Sequence, residues 1–590
     1  MKKVVIIGGG VAGMSAAHEL AERGFEVHVY EKQPVYPGGK ARSTIVNGTS
    51  INGSVPLPGE HGFRFFPRFY KHLPDTMSRI PYKNNKRGVE DNLVQTSRMM
   101  ICSDEKPPIV GIDRFPRSLD DFKTLFADAH IHLGLDPGEL DFFVGKLWQL
   151  ITSCKIRRER DYERIAWWDF VDAPNKSKTY QNYLATGLTR SLVALQAQKA
   201  STKTGGDILL QLLFDIASPG MSSDRVLCGP THDVWLGPWL TYLQSLGVNY
   251  NFNCIATDLE CKNGTIQKVT IQQDDQTFDV TGDYYLFAVP VEVMAALIKD
   301  NKEINQTVPS AASLQDLAKD VAWMTGIQFY LNEDITLVHG HNIFIDSPWA
   351  VTAISQAQFW PDVDFKKFYN GTIKTILSVD ISDWDQPVYL TDPVTGQKEY
   401  HSAMDCCSKD EIADEVWQQL QEAINRPGNE ILKNEYRVLY NLDKDINIIK
   451  PGDTTNAEPL LINETTTWYM RPDAYTPIPN LFLASDYVKT NTDLATMEGA
   501  NEAARRAVNS IIDASGSNAP FCEIWDLHEP DVFAVWRAHD QSRFDKGLPW
   551  NGDIFKHSLV AEAVEGAENI ISEVGHGIKN VFGQDGHNNQ

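Results

Sequence analysis

The stretch that decides the fold is Lys3–Glu31, KVVIIGGGVAGMSAAHELAERGFEVHVYE. Its first five residues are almost all apolar and mostly β-branched, which is typical of a buried parallel strand. Gly8, Gly10 and Gly13 follow in GxGxxG spacing, and the pattern then predicts a helix over Met14–Arg23 and a second strand. Strand, glycine turn, helix and strand in this order predict the first βαβ unit of a dinucleotide-binding fold.

The glycines and the start of the helix have separate expected tasks. Gly8 permits the tight turn, Gly10 lets the backbone approach a pyrophosphate, and Gly13 lets the helix lie close to the strand. The backbone amides at the helix start, at Val11 and Ala12, carry the partial positive charge that binds phosphate without a basic side chain.

A carboxylate stands at the end of the second predicted strand. Glu31 lies about 20 residues beyond the glycines, where an acidic side chain accepts hydrogen bonds from ribose hydroxyls, and we place Lys32 in the same contact. A 2′-phosphate at this position would be repelled by the carboxylate. The segment therefore predicts a site for FAD or NAD rather than NADP.

The segment that follows, Glu31–Ser43 (EKQPVYPGGKARS), resembles the glutathione-reductase-like flavoproteins of the phytoene desaturase and amine oxidase group. In that family a GG pair followed by a basic residue lies over the FAD pyrophosphate. The resemblance implies this contact for Gly38, Gly39, Lys40 and Arg42. Lys40 stands where arginine is more usual, and lysine cannot make a bidentate phosphate contact.

The resemblance continues in Leu481–Ile512, which contains the run MEGANEAARR. By resemblance, Asp486 holds the ribityl and phosphate region, and Met497 and Ala500 point backbone groups at the flavin. Ser485 departs from the glycine that the family usually has. These matches imply FAD as the cofactor.

A middle segment, Gly247–Val269, alternates like antiparallel strands around a turn at Asn263 and Gly264. The family places a third FAD contact here, and the resemblance implies Ala256 near the adenine. An unrelated hairpin is the alternative.

The segment Gly59–Tyr70, GEHGFRFFPRFY, corresponds in this family to the stretch beside the isoalloxazine ring. The resemblance implies that Gly62 and Phe63 lie against the flavin. Proton transfer or charge stabilisation is the hypothesis for three residues, and salt bridges within the loop are the alternative. These three residues are Glu60, His61 and Arg64.

Aromatic residues suggest where a large apolar substrate could bind. Phe65 and Phe66 continue the flavin-side segment, and Ser347–Trp360 (SPWAVTAISQAQFW) concentrates aromatic residues beside small ones. We predict substrate contacts for both sets, with core packing as the alternative for the second. The second set comprises Trp349, Phe359 and Trp360.

These blocks imply an α/β fold: a glutathione-reductase-like Rossmann FAD domain, assembled from separate segments, with a discontinuous substrate domain. The predicted FAD-binding segments are 1–80, 221–290 and 466–515, and the predicted substrate-binding segments are 81–220 and 291–465. Residues 516–590 form a C-terminal helical extension, whose apolar residues recur at helical spacing from Val560 to Val581. From these apolar residues we predict that the helix packs on the rest of the chain or forms a homodimer contact.

Composition excludes several classes of protein. The formal net charge of −24 opposes binding to nucleic acid. The eight cysteines include no CxxC pair and no Cys/His spacing typical of a zinc site, so we expect no metal and reduced thiols. No stretch approaches the length of a membrane span. We expect a cytoplasmic protein that at most touches a membrane surface.

The leading hypothesis is an FAD-dependent oxidoreductase that transfers hydride to or from a large lipophilic polyene. The segments GEHGFRFFP and SPWAVTAISQ resemble the sequences of the phytoene-desaturase-like and hydroxysqualene-dehydroxylase-like group. This group includes enzymes similar to polycyclic tetramate macrolactam cyclases. That resemblance implies reductive carbocycle formation, with NADPH or NADH as a transient electron donor. The alternatives are a carotenoid or squalene-type desaturase or dehydroxylase, a flavin amine oxidase, and a redox-inactive escort-like binding protein.

Overall fold

The structure is a computed structural model that describes residues 1–62, 64–97, 100–103, 106–109, 134–187, 196–216, 224–391, 398–450 and 452–552. The chain forms two compact units, Met1–Leu147 with Glu159–His528, and Trp148–Arg158 with Glu529–Gln590. All predicted site residues that the structure describes belong to the first unit.

The first unit is built on a five-stranded parallel sheet. Val4, Val5 and Ile6 of its central strand are fully buried, because a parallel sheet covered on both faces needs apolar side chains on each. Helices pack beside the sheet and against one another. In sheet order the strands are Asn249–Asn251, Glu26–Tyr30, Lys3–Ile7, Tyr284–Phe287 and Leu481–Leu483. The helices are Val11–Glu22, Gly237–Ser245 and Met497–Ser515.

This arrangement confirms the predicted α/β fold class. The first helix begins at Val11, earlier than the predicted Met14, because Gly10 is its N-cap residue. Segments far apart in the sequence supply the five strands, as expected for a discontinuous domain. The finer division into FAD-binding and substrate-binding segments stays a prediction.

The predicted hairpin around Asn263 and Gly264 is present, and both turn residues have positive φ angles, 55° and 71°. Its strands Ile255–Lys262 and Thr265–Gln273 continue into Gln276–Val280 as a three-stranded antiparallel sheet. The residues before Cys254 pair instead with the parallel sheet.

A seven-stranded mixed sheet forms the other large element. Helix Lys409–Ile424 packs against it, and Val416, Trp417 and Leu420 are buried in the shared core. The runs Gly326–Leu331 and Thr372–Ile381 are also typical of strands in the sequence, and both overlap strands of this sheet. Its order is Arg437–Leu442, Thr325–Leu331, Thr375–Ile381, Thr352–Ser355, Asn342–Phe344, Met100–Ser103 and Lys106–Ile109.

The rest of the described chain forms further α-helices and several small sheets. The remaining helices are His72–Ser78, Pro137–Thr152, Lys155–Arg160, Trp167–Phe170, Lys178–Tyr180, Thr202–Ile216, Val291–Ile298, Lys302–Thr307, Ala311–Leu317, Thr467–Met470 and Ala534–Phe544. The small sheets join Ser43–Ile45 with Pro58–Glu60, Phe65–Pro67 and Leu93–Gln95 with Asp224–Leu227, Val321–Ala322 with Leu460–Leu461, Val388–Thr391 with Lys398–His401, and Ile446–Lys450 with Asp453–Asn456. The sequence of Leu119–Leu133 is also typical of a helix, and this run lies outside the described residues.

The second unit has its own buried contacts. Arg157 donates from Nε to both carboxylate oxygens of Asp540 at 2.9 and 3.0 Å, and Trp148 packs edge-on against Phe533 and Trp536. The periodic segment Val560–Val581 lies outside the described residues, so the predicted C-terminal helix and its homodimer contact stay predictions. None of the helices that the structure describes is long and apolar enough to cross a membrane.

Candidate active site

A cavity of about 430 Å³ lies at the carboxyl-terminal edge of the parallel sheet. Gly8, Glu31, Ala288 and Ser485, which all follow strands of this sheet, line it together with Ala256. In open α/β sheets, ligands bind at this edge because the loops after several strands meet there. The cavity is therefore the candidate site.

The turn after the first strand brings the helix very close to the backbone. Gly8 has a φ angle of +98°, a region that side chains rarely adopt. A Cβ on Gly13 would stand 1.9 Å from the carbonyl oxygen of Gly8. Both glycines are required by the turn itself, and Gly13 does not line the cavity.

The start of the first helix faces the cavity without a cap of its own. Gly10, Val11 and Ala12 line the cavity. No side chain caps this helix and its first turn holds no acidic residue, so its backbone amides suit an anion from outside the chain. A Cβ on Gly10 would meet no atom closer than 3.7 Å, so a side chain here would take space from a ligand rather than from the protein.

Glu31 is a buried carboxylate with a fixed orientation. One oxygen accepts from the Gly9 amide at 2.6 Å and the other from the Gln33 amide at 2.7 Å. Burial raises its pKa, although these amides act in the opposite direction. Each oxygen keeps a second lone pair, so the side chain can still accept a ribose hydroxyl. Its neighbour Lys32 also lines the cavity.

The GGK segment divides between the cavity and the protein interior. Gly38, Gly39 and Lys40 line the cavity, and the Gly38 amide donates to Gly9 at 2.9 Å. Arg42 does not reach the cavity lining. It is buried, and it donates to Glu458 at 2.8 Å and to Asp445 at 2.5 Å.

This placement of Arg42 departs from the predicted pyrophosphate contact. Its guanidinium neutralises two carboxylates behind the cavity wall. Burial would raise the pKa of Glu458, but Arg42 and Lys32 lower it to about 2. The ion pairs hold the segment in place rather than offering a charge to a ligand.

The C-terminal segment supplies the opposite wall. Asp486, Met497 and Ala500 line the cavity, as does Ser485. Ser485 has a φ angle of 132°, so the position where the family usually has glycine is strained here.

Glu498 of the MEG run turns away from the cavity. Its carboxylate accepts from the amides of Lys71, His72 and Leu73 and from His72 Nδ1, at distances of 2.7 to 2.9 Å. It therefore caps the helix His72–Ser78. This contact fixes the start of helix Met497–Ser515 beside the cavity.

The structure brings two of the three predicted catalytic side chains to the cavity. His61 and Arg64 line it, as does Gly62, whereas Phe63 lies outside the described residues. Glu60 is buried behind the wall and accepts from the Thr231 amide at 3.0 Å. Burial raises the pKa of Glu60 to about 7.

Arg64 and His61 are held differently. Arg64 donates to the carbonyl oxygens of Lys40 at 2.7 Å and Ala41 at 3.2 Å, and burial lowers its pKa, against the effect of Glu60 and Asp380. His61 pairs through Nδ1 with Asp443 Oδ2 at 2.7 Å.

Among the predicted substrate residues, only Phe65 lines the cavity. Trp349 is fully buried and donates from Nε1 to the Gln386 carbonyl at 3.0 Å. Phe359 and Trp360 follow strand Thr352–Ser355 and also lie in the hydrophobic core, as does Phe66 of strand Phe65–Pro67. The predicted residues placed in the core and outside the cavity lining are Phe66, Trp349, Phe359 and Trp360.

Several lining residues were not anticipated from the sequence. Asp380 comes from strand Thr375–Ile381, and its Oδ1 would be 2.8 Å from a Cβ on Gly62. Ile208 and Leu212 stand one turn apart on helix Thr202–Ile216, a spacing that could have flagged a common face. No local signal identifies Asp380, because its place depends on strand pairing.

Ten of the lining residues have mainly hydrocarbon side chains, and this set is called the apolar arm below; Asn463, the residue after Ile462 in the chain, also lines the cavity. The residues of the apolar arm come from the segment Gly59–Tyr70, from helix Thr202–Ile216 and from the strands around Val321 and Leu460. They are Phe65, Phe69, Tyr70, Ile208, Leu212, Trp323, Met324, Leu460, Leu461 and Ile462.

Two family models match the chain. Residues 6–80 match the NAD(P)-binding Rossmann-like domain, and residues 236–512 match the flavin containing amine oxidoreductase family. A protein of Synechococcus elongatus described as "Probable zeta-carotene desaturase" is 21% identical over 544 residues, which cover 87% of this chain and 99% of that relative. The 1-hydroxycarotenoid 3,4-desaturase of a Flavobacterium species is 46% identical over 48 residues, 8% of this chain and 10% of that protein.

Solved structures show the same fold. An oxidoreductase from Methanosarcina mazei superposes with a TM-score of 0.55 at 14% identity, covering 87% of this chain and 100% of that one. Putrescine oxidase bound to putrescine gives a TM-score of 0.55 at 12% identity, covering 87% and 99%.

At the edge of the parallel sheet, an uncapped helix start, the buried carboxylate of Glu31 and the C-terminal segment line one cavity. The chain also matches a family of flavin enzymes. Together these features define an FAD-dependent oxidoreductase. The two family matches and the carotenoid-desaturase relatives support a place in the phytoene desaturase and amine oxidase superfamily. FAD is its cofactor.

We predict that Gly10→Leu abolishes FAD retention while leaving the fold intact, because the new side chain enters the cradle at the helix start without meeting protein atoms near Cβ. Gly145→Leu is the matched control, since its Cβ would meet nothing within 4 Å and the residue does not line the cavity. The ratio of flavin absorbance to protein absorbance, measured with circular dichroism, checks this. A fully flavinated Gly10→Leu protein would contradict the assignment of the cradle.

We also predict that Ser485→Gly raises the free energy of unfolding by about 1 kcal/mol, because glycine relieves the strained backbone at some cost in chain entropy. Ser485→Ala keeps the Cβ and removes only the hydroxyl, so it should give no gain. Chemical denaturation of the FAD-loaded proteins compares the two. Equal stability of both variants would mean that the backbone at Ser485 is not strained.

Proposed function

We propose that the protein removes hydrogen from an elongated lipophilic polyene of the carotenoid type and passes a hydride to FAD. The apolar arm supports this proposal most directly, because its ten lining residues carry only two polar side-chain groups, the hydroxyl of Tyr70 and the indole N–H of Trp323. An arm of this kind suits a long hydrocarbon better than a small polar substrate. The desaturase relatives support the same substrate class.

The residues around the cavity fit FAD. In this proposal the helix start at Gly10, Val11 and Ala12 holds the pyrophosphate and Glu31 holds the ribose. The other predicted contacts that line the cavity are Lys32, Gly38, Gly39, Lys40, Gly62, Ala256, Asp486, Met497 and Ala500. Bound FAD supplies the hydride acceptor, and the protein orients the substrate and excludes water.

The polar end of the cavity carries the proposed catalytic groups. His61 can exchange a proton with a molecule in the cavity, and Arg64 offers a fixed positive charge close to Gly62. Glu60 acts from behind the wall, through its effect on Arg64.

Other substrates are weighed against the same residues. A cationic amine would need a carboxylate, and Asp380 offers one, but Arg64 faces it and offsets its charge. Amine oxidation is therefore the second choice. No observation favours reductive carbocycle formation on a polyene tetramate, or NADPH or NADH as a donor, over desaturation, and both stay predictions. So do the cytoplasmic location and contact with a membrane surface.

The proposal predicts that zeta-carotene, delivered in detergent micelles to the anaerobic FAD-loaded protein, bleaches the flavin without any added donor. The product should absorb at longer wavelength, because a new double bond extends the conjugation. Putrescine should leave the flavin oxidised. Bleaching by NADPH followed by recolouring with the polyene would instead show hydride flow in the opposite direction.

A pair of variants tests the apolar arm. Leu212→Gln places an amide in the arm and should slow flavin reduction by zeta-carotene at least about 10-fold, since an unpaired buried amide costs 1–3 kcal/mol. Leu213→Gln is the control, because Leu213 has similar exposure on the same helix but does not line the cavity. Equal rates in the two variants would place the substrate elsewhere.

A further inference from the structure

His61 stands between the cavity and a buried carboxylate. Its Nδ1 lies 2.7 Å from Asp443 Oδ2, and the two side chains are 7% and 6% exposed. His61 Nε2 is buried and has no hydrogen-bond partner within the described part of the chain. The imidazole lines the cavity, whereas Asp443 does not.

This geometry selects one form of the imidazole. The carboxylate accepts a hydrogen bond, so Nδ1 carries a proton and Nε2 keeps its lone pair. Because none of the described residues pairs with Nε2, a molecule inside the cavity can take this position. A buried polar nitrogen without a partner is costly, so the arrangement points to a group that acts on a ligand.

Asp443 is held as an anion in turn. Its second oxygen accepts from the Asp445 amide at 2.8 Å. Burial would raise the pKa of Asp443, but His61, the Asp445 amide and Arg42 lower it overall. A carboxylate that stays charged next to an imidazole stabilises the imidazolium inside the protein, where an isolated cation would be unfavourable.

Other charged groups face this pair from the surrounding elements. The acidic ones are Asp445, Glu458, Asp380 and Glu60. The basic ones are Arg42, Arg64 and Lys409, whose Nζ donates to the Asp443 carbonyl at 3.3 Å. His61, Asp443 and Asp445 bring their ligand-type atoms within 4.8 Å of one another, but the Arg42 guanidinium supplies the positive charge there, and we assign no metal to this cluster.

We propose that Asp443 is the positioning residue that makes His61 the proton acceptor of the reaction, an inference that rests on the proposed function. As the C=C bond forms, one carbon loses a hydride, with two electrons, to the bound cofactor, and the neighbouring carbon loses a proton to His61 Nε2. The imidazolium, paired with Asp443, returns this proton to water before the next turnover. A quinone-class acceptor would then take two electrons and one proton from the reduced cofactor and a second proton from water, which gives the hydroquinone and the oxidised cofactor.

The first test measures flavin reduction by zeta-carotene in single turnovers. His61→Gln should lower the rate about 100-fold or more, because the proton acceptor is lost. Asp443→Asn should also lower the rate, because the imidazolium loses its counter-charge; Asp443→Glu should restore much of the rate.

A matched control separates catalysis from folding. His18 is also buried and pairs with a carboxylate, Glu22, at 2.9 Å, but it lies outside the cavity lining. His18→Gln should keep the wild-type rate. FAD content is measured for every variant. A wild-type rate in Asp443→Asn, or no recovery of the rate in Asp443→Glu, would overturn the positioning role.

A second measurement needs no substrate and so separates this inference from the proposed function. The His61 imidazole is followed by NMR of the FAD-loaded protein carrying ¹⁵N in its histidine rings, with its signals assigned by His61→Gln. The neutral ring of the wild type should carry its proton on Nδ1, and Asp443→Asn should move part of this population to Nε2, because an amide can donate to Nδ1. An unchanged tautomer would overturn the inference even if the polyene is oxidised, whereas a changed tautomer with no polyene oxidation would overturn only the substrate class.

Discussion

The close approach of two backbone segments is the constraint on which the rest of the structure depends. The Gly8 carbonyl occupies the space where a Cβ on Gly13 would lie, at 1.9 Å. Only this approach lets the first helix start at the edge of the sheet, with its free amides turned to the cavity. The parallel sheet then brings the ends of four other strands, from distant parts of the chain, to the same edge.

In the proposed function, two sets of lining residues serve different parts of one reaction. The proposed cofactor side presents backbone amides and the buried carboxylate of Glu31, whereas the apolar arm presents mainly hydrocarbon side chains. His61 and Arg64 line the cavity from the segment that follows the first βαβ unit. The ion pairs of Arg42 with Asp445 and Glu458 lie behind this wall. They hold Asp445, whose backbone amide donates to the carboxylate of Asp443 and so helps to fix its position.

Local patterns in the sequence predicted the parts of the fold that depend on neighbouring residues. The first strand and helix, the Asn263–Gly264 hairpin and the helix over Met497 follow from apolar runs, glycine spacing and turn residues. Composition does not show whether a tryptophan side chain lines a pocket or packs in the core. For this reason Trp349 is predicted to contact substrate, whereas it lies in the core. Asp380 and Asp443 approach the loop at Gly62 and His61 only through long-range strand pairing, which no single segment encodes.

The central claim is that one cavity holds FAD at the helix start and a polyene in the apolar arm. A crystal structure of the protein with FAD and zeta-carotene bound tests it most directly. The account predicts the pyrophosphate against the amides of Val11 and Ala12, the polyene along Ile208 and Leu212, and His61 Nε2 facing the substrate. A polyene bound outside this arm, or FAD bound away from the helix start, would contradict it.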